Sequence, residues 1–239
     1  MIAAPTTAMV LAAGLGTRMR PLTNDRPKAL VEVGGRALID HMLDRLAQAG
    51  VTTAVVNVHA FADRLEAHLV GRTTAPKIVI SDERDELLET GGGLKKARPL
   101  LGDAPVFVAN IDAVWSEDGA PALDALAAAY DPAAMDACLL LARMDRTLGF
   151  DGPGDMTLEA GRARFRGDAP TAPYAFAGVH ITHPSMVDGE PEGPFSLSRL
   201  WRVMAERGRL GAVVLDGFWM HVGDPQAREA AQQRLEAQG

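Results

Sequence analysis

Cysteine is almost missing from this chain of 239 residues, and a single Cys138 excludes an internal disulfide. Set in the apolar run Ala137-Cys138-Leu139-Leu140-Leu141-Ala142, it reads as a small core residue rather than a nucleophile. No run of 18 apolar residues occurs, so no membrane-spanning helix is expected, and the first residues reach Gly14 and Gly16 too soon to form a signal peptide. A cytoplasmic protein with no membrane partner is the expectation. Positive charge is also scarce: 24 Lys and Arg stand against 31 Asp and Glu, a formal net charge of -7, with no basic patch beyond one loop. Nucleic acid is therefore not an expected partner. The 47% hydrophobic content is enough to bury a full core as one domain, residues 1–239.

The exception to that charge balance is the stretch 7–30, TAMVLAAGLGTRMRPLTNDRPKAL, where Arg18, Arg20, Arg26 and Lys28 face only Asp25. A β-rich run ends at Val10 and Leu11. Ala12, Ala13, Gly14 and Gly16 follow with no bulky side chain, so their backbone N–H groups can come close to an anion. A polyphosphate suits such a loop. Two familiar phosphate loops are excluded by spacing: Met19 stands where the third glycine of G-x-G-x-x-G belongs, and neither this loop nor Gly91-Gly92-Gly93-Leu94-Lys95-Lys96 supplies G-x-x-x-x-G-K-[ST].

Apolar runs alternate with helical stretches through the first half: TAMVLAA, LIDHMLDRLAQAG, TTAVVNVH, ADRLEAHLVG, KIVISD, GGLKKARPLLG and PVFVANID read as a β-α-β-α-β-α-β series. That order predicts a parallel sheet covered by helices on both faces, with ligands at the carboxyl ends of its strands. After Ala120 the pattern predicts a helix at PALDALAAAYD, strands at ACLLLARM, ARFRG, YAFAGVHITH and GAVVLDG, a helix at SLSRLWRVMAERG and a last helix at DPQAREAAQQRLEAQ. Residues 149–173 are rich in Gly, Pro and Asp.

The pattern from Leu11 to Lys28, L-A-A-G-x-G-T-R-x-x-P-L-T-x-x-x-P-K, resembles the signature of the sugar-1-phosphate nucleotidylyltransferases. These enzymes join an NTP to a sugar 1-phosphate and release pyrophosphate. The resemblance implies a Rossmann-like three-layer α/β fold with a mixed, mainly parallel central sheet, in which residues 1–120 bind the nucleotide and residues 121–239 bind the sugar and end in a helix. The C-terminal β-helix of hexapeptide repeats found in some relatives is not expected. A phosphate monoester has its second pKa near ~6, so the attacking oxygen is already ionised at neutral pH and no general base is needed. Positioning and cations are what such a reaction requires.

By resemblance, Arg18 holds the β- and γ-phosphates, Lys28 sits at the α-phosphate or sugar phosphate, and Asp112 holds Mg²⁺ at the end of the strand PVFVA. Leu11, Ala12, Ala13, Gly14, Gly16 and Thr17 form the nucleotide loop. The segment Leu88-Glu89-Thr90-Gly91-Gly92-Gly93 resembles the loop that precedes a helix in these enzymes, with Gly91 donating an N–H and Glu89 and Thr90 facing the sugar. Asp82 or Glu83 would accept an N–H from the base, a role that uracil and guanine satisfy alike. Asn110, Asp155 and Gly178 lie where relatives contact the sugar.

Two positions depart from the pattern. Ile111 replaces the glycine before the metal-binding aspartate, and His221 stands in Trp219-Met220-His221-Val222-Gly223-Asp224 where the motif W-x-D-V-G-T has its second metal ligand. Imidazole is a poor ligand for Mg²⁺, so Asp224 is a further candidate beside His221. A narrower likeness, carried by E-T-G-G-G, L-L-G-D-A-P, a G-D segment and F-x-G-x-x-x-x-H-P, points to the short single-domain members that transfer UMP from UTP to N-acetylmuramate 1-phosphate in cell-wall sugar salvage. A monomer or weak homodimer is expected. The rival readings are a mannose- or heptose-1-phosphate guanylyltransferase, a non-catalytic nucleotide-sugar sensor, and a Rossmann oxidoreductase that lacks its third glycine.

Overall fold

The computed structural model describes residues 3–237. Its strands in chain order are β1 (Thr7–Leu11), β2 (Glu32–Val33), β3 (Arg36–Ala37), β4 (Thr53–Val58), β5 (Lys77–Asp82), β6 (Val106–Asn110) and β7 (Ala113–Glu117). The second half adds β8 (Ala137–Arg143), β9 (Thr147–Leu148), β10 (Met156–Glu159), β11 (Arg162–Phe165), β12 (Tyr174–Thr182), β13 (Leu210–Val214) and β14 (Gly217–His221). The helices are α1 (Leu38–Gln48), α2 (Ala62–Val70), α3 (Glu89–Leu101), α4 (Ala122–Ala129), α5 (Leu197–Glu206) and α6 (Pro225–Glu236).

Nine strands form one sheet in the order β10-β11-β13-β8-β12-β6-β1-β4-β5. The block β6-β1-β4-β5 is parallel, as the β-α alternation predicts. Side chains alternate between its faces with a period of two, and both faces are covered. Ala8, Val10, Val56 and Phe107 pack with Met42 and Leu43 of α1, Leu65 of α2 and Leu126 of α4, while Met9, Val55 and Val108 pack with Leu94 of α3 and Trp201 of α5. Three layers result. In α1, Leu38, Ile39, Met42, Leu43 and Leu46 form one buried stripe at helical spacing, each such side chain contributing roughly 1.5–3 kcal/mol by leaving water.

The second half is less regular than an extended β-α series. β12 enters antiparallel between β6 and β8, with Val179 opposite Ala109. β14, which the sequence pattern does not predict, pairs antiparallel with β7 and places His221 opposite Ala113, beside Asp112. β7, β14 and β9 form a separate three-stranded sheet. α3 begins three residues earlier than predicted, at Glu89, so its glycines lie inside the first turns of the helix. No helix among the described residues is long and apolar enough to cross a membrane. Burial pushes the Cys138 thiol up to about 12, in keeping with a core residue.

Candidate active site

The parallel strands β1, β4 and β6 end at one edge of the sheet, where Leu11 lies opposite Asn110 and Val10 lies opposite Val56. The chain segments that follow them enclose a cleft of about 510 Å³. Leu11, Ala12, Ala13, Gly14, Gly16, Thr17, Arg18, Lys28, Glu83, Glu89, Thr90, Asn110 and Asp112 all line it, so most of the residues singled out by the sequence converge there.

The loop after β1 is held by a residue that the motif does not mark. Asn57, near the end of β4, accepts the N–H of Ala12 at 2.6 Å and that of Ala13 at 3.2 Å through Oδ1, and donates through Nδ2 to Glu83 Oε1 at 2.8 Å. All of this is buried. The expectation that the N–H groups of Ala12 and Ala13 face a ligand is therefore corrected: Asn57 occupies them. Those of Gly14, Leu15, Gly16 and Thr17 have no partner among the described residues and remain as donors to an anion. A polar Asn inside the apolar strand TAVVNV was the available signal. Gly93 belongs to the same arrangement, since a Cβ there would lie 2.9 Å from both Asn57 Nδ2 and Glu83 Oε1.

Gly16 sets the turn that brings the loop back over Lys28. Its φ of 63° is left-handed, and a Cβ would sit 3.0 Å from the Lys28 Cβ, so a side chain here would be strained and would crowd Lys28. Thr23 Oγ1 closes the turn by donating to Gly16 O at 2.8 Å. Lys28 Nζ then reaches Asp112 Oδ2 at 2.7 Å across 84 residues of sequence. Arg18 lines the cleft and has no carboxylate partner among the described residues.

Asp112 is also 3.4 Å from His221 Nε2, and His221 Nδ1 lies 3.0 Å from the Gly149 carbonyl oxygen. The imidazole is fixed by stacking on Trp219 and by the edge contact of Phe150. Burial opposes the charge on Asp112, but the hydrogen bond from His221 and the ammonium of Lys28 outweigh it and hold this carboxyl far below the usual range. The Gly149 carbonyl can only accept, so Nδ1 donates to it, and Nε2 faces the Asp112 oxygen across a position that suits a proton or a metal ion. Among the described residues no three His, Cys, Asp or Glu side chains converge on a metal position. One carboxylate completed by phosphate oxygens and water is how Mg²⁺ is commonly held beside a nucleotide, so the donor set fits a metal that arrives with the triphosphate.

Glu83 is fully buried, and its Oε2 has no hydrogen-bond partner among the described residues. Burial raises its pKa against the opposing hydrogen bond from Asn57. An N–H donor entering the cleft would satisfy that oxygen.

Five expected site residues lie elsewhere or are already engaged. Asp82 is exposed, outside the cleft, and its carboxylate is tied to Arg84. Gly91 donates its N–H to Phe195 O at 2.8 Å and is packed under the Phe195 ring, because the helix starts before it. Asp224 caps α6, accepting the Ala227 N–H at 2.8 Å, with Pro225 starting the helix. Asp155 accepts the Phe176 N–H at 2.9 Å and lines a neighbouring cavity. Gly178 lies behind the cleft, where a Cβ would be 2.6 Å from the Ala113 Cβ. Thr90 stays in the cleft while its Oγ1 accepts the Leu197 N–H at 2.9 Å. Ser196 and Gly223 line the cleft without having been expected there.

Comparisons with known proteins place the chain among its relatives. An N-acetylmuramate alpha-1-phosphate uridylyltransferase of Caulobacter vibrioides is 60% identical, over 98% of this chain and 99% of its own. One of the same name from Neisseria meningitidis serogroup B is 36% identical over 90% and 92%. A UDP-glucose pyrophosphorylase solved with UDP-glucose shares the fold, with a TM-score of 0.80 at 17% identity over 98% of this chain and 100% of that one. Residues 7–148, from the first strand through the phosphate loop, Asn57, Glu83 and Asp112 to the end of β9, match the family described as Nucleotidyl transferase, and the chain belongs to that family.

Proposed function

We propose that this protein transfers UMP from UTP to N-acetylmuramate 1-phosphate, giving the UDP-sugar and pyrophosphate. The observation that carries the chemistry is the convergence, in one cleft, of four backbone N–H groups unpaired among the described residues, Arg18 and the Lys28–Asp112 pair. The choice of substrates is supported by near-full-length similarity to the Caulobacter vibrioides uridylyltransferase.

The loop N–H groups from Gly14 to Thr17 and the guanidinium of Arg18 bind the β- and γ-phosphates, fixing the leaving pyrophosphate. Lys28 brings its ammonium to the α-phosphate and the sugar phosphate, lowering the repulsion between two anions as they approach. Asp112 would hold Mg²⁺, which when bound supplies charge neutralisation on the triphosphate. His221 orients Asp112 from its other side. Glu83 accepts an N–H of the base, and Asn57 keeps both Glu83 and the loop in register. No residue needs to abstract a proton, since the attacking phosphate oxygen is ionised at neutral pH. Such a reaction on a cell-wall sugar fits salvage in the cytoplasm.

The test is to incubate the protein with Mg²⁺, each NTP in turn and a panel of sugar 1-phosphates, and to follow pyrophosphate. UTP with N-acetylmuramate 1-phosphate should give the highest kcat/KM. A higher value with GTP across several sugars would move the reading to a guanylyltransferase, which Glu83 would serve equally well. No pyrophosphate from any pair would leave a nucleotide-sugar sensor.

A further inference from the structure

A second cavity, of about 320 Å³, adjoins the cleft. Ser196 lines the cleft and Ser198 lines the cavity, and their hydroxyl oxygens are 3.0 Å apart, so one hydrogen-bonded pair separates the two spaces. Phe165 and Phe176 form apolar wall, and Arg166 and Arg202 bring two positive charges.

Those charges are held but not neutralised. The Arg202 guanidinium lies 4.3 Å over the Phe165 ring. Arg166 donates Nε to Gly154 O at 3.2 Å and Nη1 to Ala169 O, leaving Nη2. Neither forms an ion pair among the described residues. The one acid in the lining, Asp155, already accepts the Phe176 N–H. Two cations against one anion give this cavity a positive surplus in a chain of net charge -7. Trp201, also in its wall, has a buried indole N–H without an acceptor among the described residues. Two cations and a buried indole N–H against one carboxylate that is already engaged describe a site for an anion, and its place beside the cleft puts that anion on the substrate.

The sugar phosphate proposed above carries one negative group besides its phosphate, the carboxylate of its lactyl ether. We propose that Arg166 and Arg202 bind this carboxylate and so select a carboxylated sugar over the parent N-acetylhexosamine phosphate. The proposal rests on the substrate reading of the preceding subsection. The planar guanidinium of Arg202, placed over the Phe165 ring, offers two parallel N–H donors to the carboxylate, and the apolar rings take the lactyl methyl group.

The experiment compares kcat/KM for N-acetylmuramate 1-phosphate and N-acetylglucosamine 1-phosphate, which differ only by the lactyl group, in wild type, R202Q and R166K. R166K keeps the charge and loses the fork, and it guards against a fold defect in a neutral variant. In R202Q the ratio of the two values should fall between about tenfold and a hundredfold, the range for a lost hydrogen bond to a charged group. R166K should lower the ratio by a smaller factor. A wild-type preference for the methyl ester of the lactyl group over the free acid, an unchanged ratio, or equal losses with both sugars would overturn the proposal. If wild-type protein turns over neither sugar, the substrate reading itself has failed, an outcome separate from a ratio that does not move.

Discussion

Replacing Asn57 by alanine removes one side chain and strands three buried groups at once. The N–H groups of Ala12 and Ala13 lose their acceptor and Glu83 Oε1 loses its donor, with Asn57 only 2% exposed. An orphaned buried group costs about 1–3 kcal/mol, so the three together cost about 3 kcal/mol even if a water enters and satisfies part of the loss. For a chain of this length each kcal/mol moves Tm by about 2–4 °C, which gives a drop of about 6–12 °C. Thermal denaturation followed by circular dichroism measures it, and steady-state kinetics should show a raised KM for UTP because the phosphate loop has lost its anchor. Asn57→Asp separates the two halves of the network. The new carboxylate still accepts both N–H groups but faces Glu83 Oε1, so the pair retains a proton and its folded pKa rises above the unfolded value. An acid with a raised folded pKa carries no penalty below the unfolded pKa and its full penalty above the folded one, so the deficit of this variant should be smaller at pH 5 than at pH 8. An alanine variant melting within about 2 °C of wild type, or an aspartate variant whose deficit ignores pH, would refute the reasoning.

Lys28→Ala should cost about 3 kcal/mol of transition-state stabilisation, a loss of over roughly a hundredfold in kcat/KM, and near-normal turnover in a folded variant would remove Lys28 from the reaction. Asp112→Asn should abolish turnover with both Mg²⁺ and Mn²⁺, whereas His221→Asp should tighten Mg²⁺ binding in the presence of a non-hydrolysable UTP analogue, measured by titration calorimetry; weaker Mg²⁺ binding by that variant would assign the imidazole a role an oxygen ligand cannot fill. Glu83→Gln keeps an acceptor for Asn57 Nδ2 and removes a buried charge whose pKa burial has raised. Its gain in Tm over wild type should be larger at pH 8 than at pH 4.5, because the penalty on Glu83 is absent below its unfolded pKa and complete above its folded one; an equal gain at both pH values would contradict that account.

The local elements and the phosphate loop were legible in the sequence because their signals are local. The buried runs of β1, β4 and β6, the stripe of α1 and the small residues from Ala12 to Gly16 carry their geometry in consecutive side chains. The fold class and the family pattern follow from the same short-range order. What the cleft does with those pieces was decided elsewhere. Lys28 meets Asp112 across 84 residues, Asn57 anchors a loop 45 residues away, and His221 reaches Asp112 only because β14 turns back along β7. Asp82 and Glu83 are adjacent and equally acidic, yet the pleat of β5 and the turn after it leave one on the surface and bury the other. Asp224 and Gly91, which look like ligands in one dimension, are used by a helix cap and by packing under Phe195. Short-range spacing specifies which groups a segment can offer; the register of a sheet and the direction of its returning strands decide which distant groups face each other, and a hydrogen bond or an ion pair acts only at that contact distance.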